Sequence, residues 1–164
     1  MKLFKELLPY IIILIVVIII RSFIITPVRV DGVSMSPTLH DGEILLLKKY
    51  DKTFERFDVV VFDYDGSRLV KRVIGLPGET IYYKNNHLFI NGEKIDLEEY
   101  EFDTDDFELT DLGYDKIPEG HYFVMGDNRY DSKDSRIIGP ISQDELIGTT
   151  GYRIWPLSKF GKIN

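Results

Sequence analysis

The chain has 164 residues, no cysteine and a formal net charge of -7. That length suits one domain with a small appendage, and the missing cysteines exclude a thiol nucleophile, a disulfide framework and cysteine-based zinc sites. Neither a polybasic stripe nor an RNA-binding motif is present, which argues against nucleic acid as a partner.

Leu7 to Ile25 is almost entirely apolar, and Tyr10 to Ile20 carries no charge. A helix over these residues spans about 28 Å, roughly the hydrocarbon thickness of a bilayer. Residues 7–25 therefore read as a transmembrane anchor. Pro9 is expected in the first turn, where its missing N–H is tolerated, and Arg21 can reach the head groups. A buried core helix is a poor alternative, because so short a chain could not surround a helix apolar on all faces. A cleaved leader would need small residues at a cleavage site, and Ser22 to Val28 offers no small-x-small pair. Charge barely sets the orientation, with Lys2 and Lys5 at one end and Arg21 and Arg29 at the other.

From Val28 onward the pattern is mostly strands. Glu43–Tyr50, Phe57–Tyr64 and Arg68–Ile74 are rich in Val, Ile, Leu and aromatics, and Asp65-Gly66 reads as a hairpin turn between the last two. Thr80–Tyr83 and His87–Ile90 flank a second turn at Asn85-Asn86, and Asn91-Gly92 leads tightly toward Lys94-Ile95. Residues 96 to 115 hold ten acidic side chains and no basic one. They read as a solvated loop or lobe, with recognition of a basic partner as the weaker alternative. The rest of the chain is mildly basic, which suits a domain near anionic lipid. His121–Met125 and Leu146–Trp155 read as later strands, with Trp155 in the core. Ser142 to Glu145 has the look of an N-cap opening one helical turn. The fold class is mainly β: an antiparallel-sheet catalytic domain carried by one N-terminal transmembrane helix. The division is a short tail (1–6), the anchor (7–25) and a β-rich domain (26–164) with an acidic insertion around 96–115.

Three stretches carry chemistry. The first runs Gly32-Val33-Ser34-Met35-Ser36-Pro37-Thr38-Leu39, just beyond the anchor. A serine hydroxyl needs a base to take its proton. His40, His87 and His121 are the histidine candidates, and none sits in a motif. The second stretch, Leu69 to Gly78, holds Lys71 inside an apolar run. A lysine facing the core is desolvated, which depresses its pKa; neutrality near pH 7.5 requires a drop of roughly 3 units from about 10.4. Arg72 adds like-charge pressure, although adjacent strand residues point apart. The third stretch runs Gly126-Asp127-Asn128-Arg129-Tyr130-Asp131-Ser132-Lys133-Asp134-Ser135-Arg136. It fails as a calcium loop, with Arg129 third, Ser132 sixth and Ile138 twelfth. Gly75-Leu76-Pro77-Gly78 is no phosphate loop, because no Gly-Lys-Ser/Thr follows. No metal and no cofactor is expected.

These stretches, in this order and with Phe57 to Phe62 between them, resemble type I signal peptidases over nearly the whole chain. A lysine rather than a histidine at position 71 points to the bacterial or organellar branch. The resemblance implies that Ser34 is the nucleophile, that Lys71 is the general base, and that Ser132 orients the lysine through a hydrogen bond. It implies an oxyanion held by the Ser34 N–H. Many relatives with a double membrane carry a serine two residues before the nucleophile as a second donor. Here that position is Gly32, as in the Gram-positive type, so Gly32 is only a second candidate donor. Asp127, Arg129, Asp134 and Arg136 match positions that brace the site through ion pairs, and Met35, Leu69 and Val70 match the lining of a small specificity pocket. The implied substrates are secretory preproteins cut after small-x-small sites at a membrane surface. The implied topology is single-pass, with the N-terminus cytoplasmic and the catalytic domain outside. A self-cleaving repressor of the same superfamily would need a DNA-binding domain, and a silent binding relative would need a broken dyad.

Overall fold

A computed structural model describes residues 2–19, 24–50, 52–96 and 102–163. The chain opens with helix α1 (Lys2–Ile19). Four strands follow: β1 (Ile25–Arg29), β2 (Ile44–Lys48), β3 (Val59–Tyr64) and β4 (Ser67–Gly75). Four shorter ones come next: β5 (Ile81–Lys84), β6 (His87–Ile90), β7 (Glu93–Lys94) and β8 (Phe107–Glu108). The chain closes with β9 (His121–Met125), a single helical turn α2 (Ser135–Ile138), β10 (Ile141–Ser142), β11 (Leu146–Trp155) and β12 (Gly161–Lys162).

The strands form two antiparallel sheets. The larger has the order β1-β2-β11-β3-β4-β9-β10, with β12 also on β11; the smaller has the order β7-β6-β5-β8. The three expected hairpin turns form where the residues permit positive φ. Asp65 and Gly66 (φ 50° and 72°) join β3 to β4, Asn85 and Asn86 (48° and 65°) join β5 to β6, and Asn91 and Gly92 (52° and 84°) join β6 to β7. β11 enters between β2 and β3, and its register shifts at Gly148. A β-carbon there would lie 2.0 Å from the Lys48 carbonyl oxygen, so only glycine lets the two backbones come this close.

The alternation of β3 and β4 divides the core. Val59, Val61 and Val70 pack on one face with Met35, Leu39 and Leu45. Val60, Phe62, Leu69 and Val73 pack on the other with Val124 and Leu146. A third cluster, around Ile74, Tyr83, Leu88 and Phe123, seats the small sheet against the large one. Burial on both faces explains why β3 reads as a continuous apolar run rather than an alternating one.

Among the described residues no helix is long and apolar enough to cross a membrane. Several expectations need correction. Ile25 opens β1 instead of ending a helix, and residues 20–23 of the expected anchor lie outside the described residues. Pro9 lies inside α1, beyond its first turn. β1 was not among the expected strands, because its sequence continues the apolar run before it. Ser142 to Glu145 is no helix: Ser142 ends β10, and its N–H donates to Glu145 Oε2 in a turn. The acidic segment is built into the fold through β8, which pairs with β5, and through buried Leu109; residues 97–101 lie outside the described residues. Trp155 is 52% exposed, outside the core.

Candidate active site

Ser34 opens a turn (34–38) within the long connection between β1 and β2. The turn closes on itself, with the Leu39 N–H donating to Met35 O at 2.8 Å. It is also tied to the segment after β9. The Asn128 N–H donates to Ser34 O at 3.0 Å, and Asn128 Nδ2 donates to Val33 O at 3.3 Å. These bonds leave the Ser34 side chain half-buried and pointed toward β4.

Lys71 arrives from the middle of β4. Its side chain is 2% exposed. Nζ lies 2.7 Å from Ser34 Oγ and donates to Val70 O at 3.0 Å. Burial lowers its pKa from 10.5 to about 8, against the opposing pull of Asp134 and Asp127. Desolvation wins because both carboxylates already have closer cations. Asp127 grips Arg72 through two bonds, Nε to Oδ1 at 2.9 Å and Nη2 to Oδ2 at 2.7 Å, and both side chains are buried. Asp134 holds Arg136 through Nε and Nη2, each at 2.9 Å, and also accepts the Gly126 N–H at 2.9 Å. A fork of this kind fixes the carboxylate geometrically as well as electrostatically.

The remaining expected site residues divide. Met35 and Val70 share one buried cluster, whereas Leu69 packs on the opposite face of β4. Alternation along the strand separates Leu69 from the other two. Gly32 has a φ of 88°, and its N–H is already committed to Asp41 Oδ1 at 2.8 Å. The Ser34 N–H has no partner among the described residues. Ser132 Oγ is buried and makes no hydrogen bond, so the expected bond to the lysine is not formed here. Arg129 forms no ion pair among the described residues, contrary to expectation. It donates instead to Gly126 O and Thr104 Oγ1. None of the histidines hydrogen-bonds Ser34: His121 Nδ1 lies 3.0 Å from Glu119 O, and His40 stands 3.7 Å from the Glu43 carboxylate. Among the described residues no group of three His, Cys, Asp or Glu is placed to hold a metal ion.

Three contributors escaped the sequence reading. Arg72, taken there as a repulsive neighbour of Lys71, is the partner of Asp127. Asn128 staples the turn that carries Ser34. Gly126 is the third: a β-carbon on it would lie 2.2 Å from Ser132 Oγ and 2.4 Å from Ser34 O. The signal available was the strongly polar cluster 126–136 directly after an apolar strand. Gly126→Ala is expected to lower kcat about 100-fold, since misplacement of this order at a reacting pair has that effect. Steady-state kinetics beside a melting curve check it, and unchanged kcat would contradict the close packing.

Residues 3–155 match the family model described as "Signal peptidase, peptidase S26". The chain is 42% identical over 159 residues to signal peptidase I S of Bacillus subtilis (strain 168), covering 90% of this chain and 86% of that one. It is 39% identical over 179 residues to signal peptidase IB of Staphylococcus aureus, covering 95% and 93%. Among solved structures, a signal peptidase I from Enterococcus faecalis V583 superposes with a TM-score of 0.55 at 38% identity, covering 59% of this chain and 96% of that one. A buried lysine against a turn serine is thus carried on a chain that belongs to the signal peptidase family, peptidase S26, a family of serine endopeptidases.

Proposed function

We propose that this chain removes signal peptides from secretory preproteins through a Ser34–Lys71 dyad. The observation that carries this reading is the 2.7 Å separation of Ser34 Oγ from the Nζ of a lysine that is itself 2% exposed. Neutral Lys71 takes the Ser34 proton as Oγ attacks the scissile carbonyl carbon. The oxyanion is received by the Ser34 N–H. Lys71 then gives the proton to the leaving amine as the peptide bond breaks, leaving an acyl-enzyme on Ser34. It next takes a proton from the water that attacks this ester, and returns it to Ser34 Oγ as the acid departs. Ser132, whose hydroxyl is buried and uncommitted beside the nucleophile turn, is the group available to steady the lysine. Asp127, Asp134, Arg72 and Arg136 hold the surrounding backbone.

Met35 and Val70 form the apolar lining beside the nucleophile. The tightness of that cluster favours small side chains, which agrees with cleavage after small-x-small sequences. The preprotein segment lies extended along the sheet, paired through its main chain.

We also propose a membrane-held enzyme with residues 1–6 cytoplasmic, residues 7–25 as the anchoring segment and the β-domain outside. Apolar side chains from Leu7 to Ile18 in α1 are exposed, which supports a lipid-facing role. Confinement beside membrane-held precursors raises their effective concentration.

The test is cleavage of a purified secretory preprotein by detergent-solubilised chain, beside Ser34→Ala and Lys71→Ala. Cutting after a small-x-small site by the unsubstituted chain alone is expected. Retained cutting by either variant would defeat the dyad. For the unsubstituted chain, kcat/KM is expected to rise with pH through about 8, the value to which burial brings Lys71. A limb that survives Lys71→Ala unmoved would assign it to another group.

A further inference from the structure

The acidic segment reaches the catalytic loop at one buried point. Thr104 is 3% exposed and Arg129 5% exposed. Arg129 Nη1 donates to Thr104 Oγ1 at 2.5 Å, and its Nε donates to Gly126 O at 3.1 Å. The guanidinium lies 5.2 Å from the Tyr83 ring centroid and 5.4 Å from that of Phe102. Thr104 is itself fixed: its hydroxyl donates to Phe102 O at 2.5 Å, and its N–H donates to Asn86 Oδ1 at 2.8 Å, on the β5–β6 turn.

No carboxylate pairs with Arg129 among the described residues, although a buried cation is costly without strong partners. The two aromatic faces offset part of that cost. Among the described residues the hydroxyl and the Gly126 carbonyl are the acceptors that orient the fork. Gly126 is the residue with no room for a β-carbon between Ser132 and the Ser34 carbonyl. Its N–H is held by Asp134 on the other side. The position of Gly126 therefore depends on two buried contacts, one of which leads back to Thr104.

We propose that Thr104 is a positioning residue: its hydroxyl holds Arg129, which holds Gly126 against the nucleophile turn, so that the acidic segment supports the catalytic centre. This rests on the dyad reading above. Thr104 touches neither substrate nor dyad and acts through Arg129 alone. The lobe of small strands is then part of the peptidase mechanism rather than a solvated appendage.

The experiment compares unsubstituted chain, Thr104→Val and Thr104→Ser on a peptide substrate bearing an Ala-x-Ala site. Valine keeps the shape and loses the acceptor. Thr104→Val is expected to lower kcat about tenfold with KM changed by less than roughly twofold, while Thr104→Ser restores kcat. Combining Thr104→Val with Arg129→Lys is expected to cost less than the product of the single effects, because both act along one chain of contacts. Undiminished kcat in folded Thr104→Val, or no rescue by serine, overturns the proposal while leaving the dyad intact. Loss of folding by both Thr104→Val and Thr104→Ala would make Thr104 a purely structural residue and overturn it as well. Inactivity of the unsubstituted chain overturns the dyad reading, and this inference falls with it.

Discussion

Lys71→Met is expected to abolish cleavage, by about 10⁴-fold or more, and yet to raise stability at neutral pH. The two effects share one cause. A lysine that is 2% exposed with a pKa of about 8 binds its proton less tightly in the folded chain than in the unfolded one, where the value is 10.5. Below about pH 8 the folded state carries the whole burden of a buried ammonium. Between about 8 and 10.5 the unfolded chain binds more protons than the folded one, so stability rises with pH. Above 10.5 the burden is gone. At pH 7 it amounts to about 3 kcal/mol on the scale of one pKa unit per 1.36 kcal/mol. Methionine fills nearly the same volume without the charge. Its introduction strands no carboxylate, because Asp127 keeps Arg72 and Asp134 keeps Arg136. Urea denaturation at pH 7 and again above pH 10 checks this. The gain should be largest at pH 7 and fade with increasing pH. A methionine variant less stable than the unsubstituted chain at pH 7 would mean that Lys71 is not held against desolvation.

Asp127→Ala should act in the opposite direction, costing about 3–5 kcal/mol of stability, because it takes from a buried guanidinium the carboxylate that grips it through two bonds. Arg72 is 2% exposed. Its Nη1 also donates to Phe57 O at 2.9 Å, a carbonyl that carries no counter-charge. The pair also crosses from β4 to the residue-pair end of β9, where Arg72 stands opposite Met125. Loosening it frees the start of the 126–136 loop, so activity should fall along with stability. Replacing both members by apolar residues of similar size should cost much less than the alanine variant alone. Denaturant midpoints of the single and double variants decide the matter. A cost below about 1 kcal/mol for Asp127→Ala would place the pair among ordinary surface ion pairs.

Much of this architecture is written locally. The strands 87–90, 121–125 and 146–155 have the limits expected from their residues, and the three hairpins turn where Asp-Gly, Asn-Asn and Asn-Gly accept positive φ. The proposed dyad is suggested by order along the chain: a serine in a turn and a lysine within an apolar strand are ordinary separately and distinctive only together. Two partnerships are invisible from neighbours in sequence. Arg72 was weighed against Lys71 and not against Asp127, which is 55 residues away. Arg129, expected to pair with a carboxylate, has as its partners among the described residues a hydroxyl, a carbonyl and two rings. Trp155 was placed inside from its hydrophobicity alone, which says little about a residue at the end of a long strand.

By itself the sequence determined the mainly β class, the turns and the anchor-like apolar run, because each depends on side chains within a few positions of one another. Tertiary structure alone decided that β11 lies between β2 and β3, that Ser34 comes within 2.7 Å of Lys71, that Asp127 faces Arg72 and that the acidic segment reaches Arg129. These are contacts between residues far apart in the chain. They exist only once the apolar faces of both sheets are buried together, and the same burial withdraws water from Lys71 and so lowers its pKa toward the range where it can act as a base.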